Sequence, residues 1–168
     1  MQLLIVRHAI AMEREAFART GKPDDERPLT KDGRDKMRQT ARGLMQLVPT
    51  IDVLATSPLL RARQTAEILA DAYGGPRIAM VKSLAPDEAP AAFLDWLRGQ
   101  GASGTIAGVG HEPDVGLLVS WLLASARTSF IEFKKGAACL LAFERRPQAG
   151  GAILRWALTP SQLRRIGR

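Results

Sequence analysis

The chemistry available to this sequence is indicated first by its two histidines, His8 and His111. Each follows an apolar run: LLIV leads into Arg7 and His8, and TIAGVG leads directly into His111. A neutral imidazole nitrogen can act as a nucleophile, and a neighbouring guanidinium can bind an anionic group. Phosphoryl transfer depends mainly on positioning and charge neutralisation, so the two junctions favour a histidine that attacks phosphorus within a positively charged pocket.

A second pair of cations, Arg61 and Arg63, lies near the start of the helix predicted after strand 52–57. The helix macrodipole disfavours a cation at this end, whereas an anion bound there, close to Arg7, would offset the penalty. Solvent screening is the alternative that keeps the penalty small. At about 100° per residue the two arginines flank the apolar stripe through Ala62 symmetrically, so helical geometry leaves open which one faces the site.

Other kinds of catalytic site fit the sequence poorly. Cys139 lies within AACLLAF and is predicted to be a small core residue, and Ser57 has no GxSxG context. Two histidines without HExxH spacing or a carboxylate cluster make a poor transition-metal site. The sequence also contains no GxxxxGKS/T phosphate-binding loop. We therefore predict no metal and no cofactor.

The elements that would position these residues alternate between strands and helices. Strands are predicted at 2–6, 52–57, 77–82, 105–110, 137–143 and 152–158, the last two as a hairpin that closes the sheet. Helices are predicted after Thr30 as N-cap, after Ser57 as N-cap with Pro58 in the first turn, at 89–100, at 113–124 and at the basic C-terminus, with a long polar loop at 9–28. This alternation predicts an α/β fold, a three-layer sandwich whose central, mostly parallel sheet is flanked by helices. The carboxyl ends of parallel strands meet at one edge of such a sheet, where all of these junctions should converge.

Composition restricts the function classes further. The 168 residues carry a net charge of +7, from 24 Lys and Arg against 17 Asp and Glu, which favours anionic partners. The basic residues are scattered and aromatic residues make up only 5%, so nucleic-acid binding is not expected. No apolar run approaches the roughly 20 residues of a membrane span, and no signal-peptide pattern is present. With a single cysteine, the expected location is the cytoplasm and no membrane partner is expected.

Four segments together resemble a known family. LLIVRHAIA, RPLTKDG, SPLLRARQTA and VGHEPDV are similar, in order and spacing, to the histidine phosphatase superfamily, and more closely to its short SixA-type phosphohistidine phosphatases. The likeness runs from residue 2 to about residue 144. It implies a phosphoglycerate mutase-like fold, one domain over residues 1–168 without a large cap insertion, and a reaction that needs no metal.

The resemblance also implies roles for individual residues. His8 would be the nucleophile, transiently phosphorylated on a ring nitrogen, and Arg7, Arg61 and His111 would bind the phosphoryl oxygens. Arg61 is thereby selected over Arg63, because it is the arginine of SPLLR. Arg27, in RPLT, would line the pocket.

The sequence departs from the family pattern at two points. Ala9 follows the Arg-His pair where glycine is usual, and its small side chain predicts a tolerated change. The acidic proton donor of many members has no clear counterpart. Asp87 and Glu88 in LAPDEAP are candidates, as are Glu112 and Asp114 beside His111, although capping of the following helix is the alternative for the last two.

These features predict a phosphatase that removes the phosphoryl group from phosphohistidine on a protein partner through a phospho-His8 intermediate. An imidazole leaves as a neutral heterocycle and has less need of an acid than an alkoxide. Little of this short chain, chiefly 9–28 and 83–104, is available to cover the site, which suits a phosphorylated side chain on another protein. The alternatives are a phosphatase of small phosphate monoesters and a non-catalytic module that binds phosphorylated partners.

Overall fold

The computed structural model describes residues 1–101 and 104–168, so the segment 83–104 of the sequence analysis is described only in part. Within the described residues the strands are β1 Gln2–Arg7, β2 Val53–Thr56, β3 Arg77–Met80, β4 Thr105–Gly110, β5 Ala138–Ala142 and β6 Ile153–Leu158. They form one sheet in the order β3-β2-β4-β1-β5-β6. Every predicted strand is therefore present, some of them shorter at one or both ends.

The strand directions agree with the prediction. β1 pairs in parallel with β4, and β2 pairs in parallel with both β3 and β4. β5 is antiparallel to β1 and to β6, which is the predicted closing hairpin. The carboxyl ends of the four parallel strands β1 to β4 consequently lie at one edge of the sheet.

The helices are α1 Arg14–Ala18, α2 Lys31–Leu47, α3 Leu60–Ala72, α4 Pro90–Arg98, α5 Asp114–Ala124 and α6 Pro160–Ile166, with single 3-10 turns at Asp24–Glu26 and Lys82–Leu84. Among the described residues, none of these helices is long and apolar enough to cross a lipid bilayer. The prediction of a continuous loop over 9–28 is wrong, since this segment contains α1 and a 3-10 turn. α1 has only five residues and is anchored by one buried side chain, Phe17, so it has too few turns to show a helical period.

The central strand β1 is buried on both faces, which explains its uninterrupted apolar run. Leu4 and Val6 belong to a core that also contains residues of α2, α3 and α6. Leu3 and Ile5 belong to a second core with residues of α4 and α5. Two helical layers thus cover the sheet, and the predicted three-layer α/β sandwich is confirmed.

Of the two predicted N-cap residues, one is correct and one is wrong. Thr30 caps α2, because its hydroxyl oxygen accepts a hydrogen bond from the Gly33 amide at 2.9 Å. Ser57 does not cap α3, which begins at Leu60 after an extended Leu59 without a side-chain cap. The Ser57 hydroxyl instead accepts a bond from the Leu59 amide, ahead of the helix, at 3.3 Å.

Close packing of α6 on α2 generates a prediction about stability. A Cβ added at Gly43, four residues before the last residue of α2, would collide with the backbone carbonyl of Leu163. Gly43→Ala should therefore lower the free energy of unfolding by about 1–3 kcal/mol, the usual range for overpacking. Helix propensity alone predicts the opposite sign, a gain of up to about 1 kcal/mol.

Urea unfolding measures this difference. Gln46→Ala, at an exposed position of the same helix, is the matched control and should leave the midpoint nearly unchanged. A Gly43→Ala protein as stable as the wild type would show that α6 does not pack against Gly43.

Candidate active site

The two histidines lie side by side at the carboxyl ends of neighbouring strands. Arg7 is opposite Gly110 in the parallel pairing of β1 and β4, and the His8 amide donates to the Gly110 carbonyl at 3.0 Å. The ring centroids of His8 and His111 are consequently 5.0 Å apart. Both side chains are buried, with 5% and 3% of their surface exposed. The expected convergence of these two junctions is therefore present.

The ring of His8 is held in one tautomer. Its Nδ1 lies 2.7 Å from the carbonyl oxygen of Ala9, and a carbonyl can only accept, so Nδ1 carries the proton. Burial, assisted by the charges of Arg61 and Arg7, lowers the pKa of His8 to about 3, although the bond to Ala9 acts in the opposite direction. At neutral pH the ring is uncharged and Nε2 has a free lone pair, which is the state a nucleophile requires.

Ala9 fits its position without backbone strain. Asp87 and Ser125 are the non-glycine residues with positive φ in the described part of the chain, so Ala9 does not need the freedom of glycine. The Ala9 amide donates to the Thr65 hydroxyl at 3.0 Å, and that hydroxyl donates to the carbonyl of Arg61 at 2.7 Å. The end of β1 is thus tied to α3 through the side-chain hydroxyl of Thr65.

Arg61 is directed into the protein and Arg63 into solvent. Only 3% of Arg61 is exposed, and its Nη1 donates to the carbonyl of Asp24 at 2.9 Å and lies 3.2 Å from the Asp24 carboxylate. Arg63, two residues further along α3, is exposed. The arginine that the family likeness selected is therefore the buried one. Its neighbour across the site, Arg7, donates through Nη1 to the carbonyl of Phe133.

Several buried nitrogens at this edge of the sheet have no hydrogen-bond partner. Within the described residues, the unpartnered buried side-chain atoms are Arg7 Nε, Arg61 Nε, His111 Nδ1 and Tyr73 Oη. Three of these four belong to residues predicted to bind a phosphoryl group. An unsatisfied buried donor costs about 1–3 kcal/mol, so an anion with several acceptor oxygens would be bound favourably here.

Asp24 was missed by the sequence analysis, although it organises two of the arginines. Its carboxylate accepts from Arg27 Nε at 2.8 Å and lies beside Arg61. Arg27 is buried, and its Nη1 donates to the carbonyl of Met12 at 2.7 Å. Burial would raise the pKa of Asp24, but the bond from Arg27 and the charges of both arginines outweigh it and lower that pKa. Arg27 thus contributes charge near the histidines, while Asp24 binds its Nε.

His111 is paired with a residue of another strand end. Its Nε2 lies 2.8 Å from the hydroxyl oxygen of Ser57, which directly follows β2 and is completely buried. Burial, followed by the neighbouring His8 and Arg61, lowers the pKa of His111 to about 2. This ring is therefore also neutral at physiological pH. Sequence reasoning placed Ser57 at the same sheet edge but assigned it to a helix cap.

Glu112, a candidate proton donor, has a backbone partner. Its carboxylate accepts from the Phe133 amide at 2.6 Å, so it fastens the segment before β5 beside Arg7. Burial raises the pKa of Glu112, although the Phe133 amide and the charge of Arg7 oppose this. In the described part of the chain it makes no hydrogen bond or ion pair with His8 or His111.

The other acidic candidates contact residues outside this group. The Asp87 amide donates to the carboxylate of Asp114 at 3.3 Å, and the Glu88 carboxylate lies 3.8 Å from Lys82 Nζ. Among the described contacts, neither Asp87 nor Glu88 reaches a histidine of the site. The structure therefore brings together Arg7, His8, Arg61, His111 and Arg27. Of the proton-donor candidates, Glu112 lies beside Arg7, whereas the described contacts of Asp87 and Glu88 are with residues outside this group.

The buried neutral histidines generate a prediction about stability and pH. Below about pH 6.5 each histidine of the unfolded chain takes up a proton. Folded His8 and His111 stay neutral down to about pH 3 and about pH 2. The unfolded state then binds more protons, so stability should fall as pH falls, by about 2 kcal/mol per histidine between pH 7 and pH 5.

Urea unfolding at the two pH values measures this loss. The double variant His8→Asn/His111→Asn removes both titrating groups and serves as the control. Between pH 7 and pH 5 its free energy of unfolding should fall by about 4 kcal/mol less than that of the wild type. Identical losses in the two proteins would contradict the neutral state of the buried rings.

Comparison with known proteins agrees with this geometry. The family model of the histidine phosphatase superfamily (branch 1) matches residues 3–85. A protein of Picosynechococcus is 43% identical over 118 residues, which is 69% of this chain and 69% of that protein. Phosphohistidine phosphatase SixA of Escherichia coli is 29% identical over 171 residues, covering 98% of this chain and 97% of its own length.

Solved structures show the same likeness. The protein histidine phosphatase SixA complexed with tungstate superimposes with a TM-score of 0.82 at 27% identity, covering 97% of this chain and 99% of that one. A phosphoserine phosphatase from Entamoeba histolytica in complex with 3-phosphoglyceric acid shares the fold, with a TM-score of 0.70 at 15% identity over 96% and 98% of the two chains. Sequence and fold together show that the chain belongs to the histidine phosphatase superfamily, as a member of the SixA type.

Proposed function

We propose that this phosphatase hydrolyses phosphohistidine on a protein partner through a phospho-His8 intermediate, without a metal ion. The observation that carries the proposal is a buried, neutral His8 whose Nε2 carries a lone pair, beside buried arginine and histidine nitrogens that have no hydrogen-bond partner among the described residues. A nucleophile and a set of anion-binding donors therefore lie within one small region. We also propose that the chain acts as a single domain without a large cap.

In the first step, the lone pair of His8 Nε2 attacks phosphorus in line with the leaving group. A bond from phosphorus to Nε2 forms while the bond from phosphorus to the substrate imidazole breaks. Arg7, Arg61 and His111 bind the non-bridging oxygens and stabilise the charge of the transition state. The bond from His8 Nδ1 to the Ala9 carbonyl orients the ring and stabilises the positive charge that it gains.

In the second step, a water molecule attacks the phosphorus of phospho-His8. The bond between phosphorus and Nε2 breaks, its electron pair returns to the ring, and phosphate leaves with the protons of the water. His8 is then neutral again, with its proton still on Nδ1. The low pKa of His8 favours this state, because burial disfavours a charged ring.

The acidic residues of the chain support phosphohistidine as the substrate class. Among the described contacts, the Glu112 carboxylate accepts from the Phe133 amide and the Glu88 carboxylate lies 3.8 Å from Lys82 Nζ, so both have partners other than a leaving group. A monoester must leave as an alcohol and needs a proton, whereas a protonated phosphohistidine leaves as neutral imidazole. The SixA relative of Escherichia coli, which aligns over nearly its whole length, is named a phosphohistidine phosphatase.

Two other functions remain to be distinguished from this one. A phosphatase of small monoesters is the nearest alternative, since a phosphoserine phosphatase has the same fold. A non-catalytic module that binds phosphorylated partners would use the same arginines without turnover. A monoester phosphatase would hydrolyse monoesters faster than phosphohistidine, and a binding module would bind phosphohistidine without releasing phosphate.

Phosphate release should be fastest, as kcat/KM, from a phosphohistidine protein when compared with phosphoserine and sugar phosphates, all without added metal. Brief incubation with a 32P-labelled substrate should label the protein transiently. His8→Asn, the control, keeps a polar side chain without the nucleophile and should lose both label and turnover. Turnover retained by this variant would exclude the intermediate, and a higher kcat/KM on monoesters would exclude the substrate class.

Arg61 and Arg63 form a matched pair of variants on one helix. Arg61→Ala should lower kcat/KM by about 10²–10³-fold, the usual effect of removing one preorganised donor to a developing charge. Arg63→Ala removes an exposed charge and should change kcat/KM by less than about threefold. Steady-state kinetics on the same substrate, with unfolding curves to show that both proteins are folded, makes the comparison. Equal losses would refute the assignment of Arg61.

A further inference from the structure

His111, which binds phosphoryl oxygens in the mechanism above, forms a buried pair with Ser57, a residue to which that mechanism gives no role. The Ser57 oxygen is 2.8 Å from His111 Nε2, and 0% of Ser57 and 3% of His111 are exposed. The Ser57 amide donates to the Val109 carbonyl of β4 at 3.0 Å, which holds the serine against the strand that leads into His111. The position of the hydroxyl is therefore determined by the sheet.

The surroundings of the hydroxyl allow this bond to run from serine to histidine, although its second lone pair also allows the reverse. The Leu59 amide, which can only donate, lies 3.3 Å from the Ser57 oxygen, so that oxygen accepts from it. A hydroxyl that accepts one bond still has its own proton to donate. His111 Nε2 is its partner, and it accepts this proton only if it is the unprotonated nitrogen of the ring.

The other ring nitrogen supports the same direction. His111 Nδ1 is buried and has no hydrogen-bond partner in the part of the chain that the structure describes. As a lone pair it would repel a phosphoryl oxygen, because both atoms are acceptors. As an N–H it would donate to that oxygen, together with the guanidinium groups. Since Nε2 is taken by Ser57, Nδ1 is the nitrogen that remains for a ligand.

We propose that Ser57 is a positioning residue that donates to His111 Nε2 and so holds the neutral ring with its proton on Nδ1. The Nδ1–H group then donates to a phosphoryl oxygen at His8. This inference rests on the proposed function for the identity of the ligand, whereas the tautomer is a property of the resting protein. A neutral imidazole has a single N–H group, which can be on either nitrogen. The bond from Ser57 would place it on Nδ1 of His111.

Imidazole 15N NMR tests the tautomer directly, because the chain has two histidines and therefore four ring nitrogens. In the wild-type protein at pH 7, His111 Nδ1 should resonate in the protonated range and Nε2 in the unprotonated range. Addition of inorganic phosphate should shift the Nδ1 signal. A protonated Nε2 in the wild type would overturn the inference.

Ser57→Ala removes the hydroxyl and should move the proton, wholly or in part, from Nδ1 to Nε2. It should also lower kcat/KM by about 10–100-fold, since one phosphoryl donor is lost. Thr56→Val is the matched control: Thr56 is equally buried, its hydroxyl donates to the Ser57 carbonyl at 3.2 Å, and among the described hydrogen bonds it has none with His111. Both His111 signals should keep their wild-type ranges in this control.

An unchanged tautomer in Ser57→Ala would overturn the role of Ser57, even if activity fell. The NMR measurement needs no substrate, so the two proposals fail separately. A wild-type protein that released phosphate from no substrate would contradict the proposed function, while the His111 signals would still decide the role of Ser57.

Discussion

The parallel pairing of β1 with β4 is the contact on which the site depends. Arg7 lies opposite Gly110, and the His8 amide is bonded to the Gly110 carbonyl, so both strands end at the same level and both histidines follow directly. A shift by one residue would turn every side chain of β1 to the opposite face of the sheet. The apolar residues that bury β1 on both faces therefore also position the reacting imidazole.

The electrostatics of the site follow from burial. Three arginines surround two rings that are nearly inaccessible to water, and a charged imidazole there would lack both solvent and a counter-ion. The rings therefore stay neutral, as their low pKa values show. Asp24 balances part of the arginine charge, but within residues 1–101 and 104–168 Arg7 Nε and Arg61 Nε have no hydrogen-bond partner. These two nitrogens are therefore available to an anionic ligand.

Backbone carbonyls and a hydroxyl of connecting segments orient the arginine and histidine side chains of the site. The carbonyls of Ala9, Asp24 and Phe133 bind His8, Arg61 and Arg7, respectively. A carbonyl accepts a hydrogen bond without carrying a net charge. It can therefore orient a guanidinium or an imidazole through one nitrogen and leave the other nitrogens of that group for a ligand. Ser57 holds His111 in a comparable way, from the end of a different strand.

Local patterns in the sequence were enough to predict the strand ends that carry the two histidines and one of the helix caps. Apolar runs that end abruptly in polar residues identified His8 and His111, and Thr30 was recognisable as a helix cap because its partner, Gly33, is three residues away. Helical geometry by itself could not choose between Arg61 and Arg63, since both flank the same apolar stripe. The contacts of Asp24 with Arg61 and of Ser57 with His111 join residues 37 and 54 positions apart, and no local period encodes them. Only the tertiary structure decided these two contacts, because hydrogen bonds between segments distant in sequence depend on how the sheet and its loops pack.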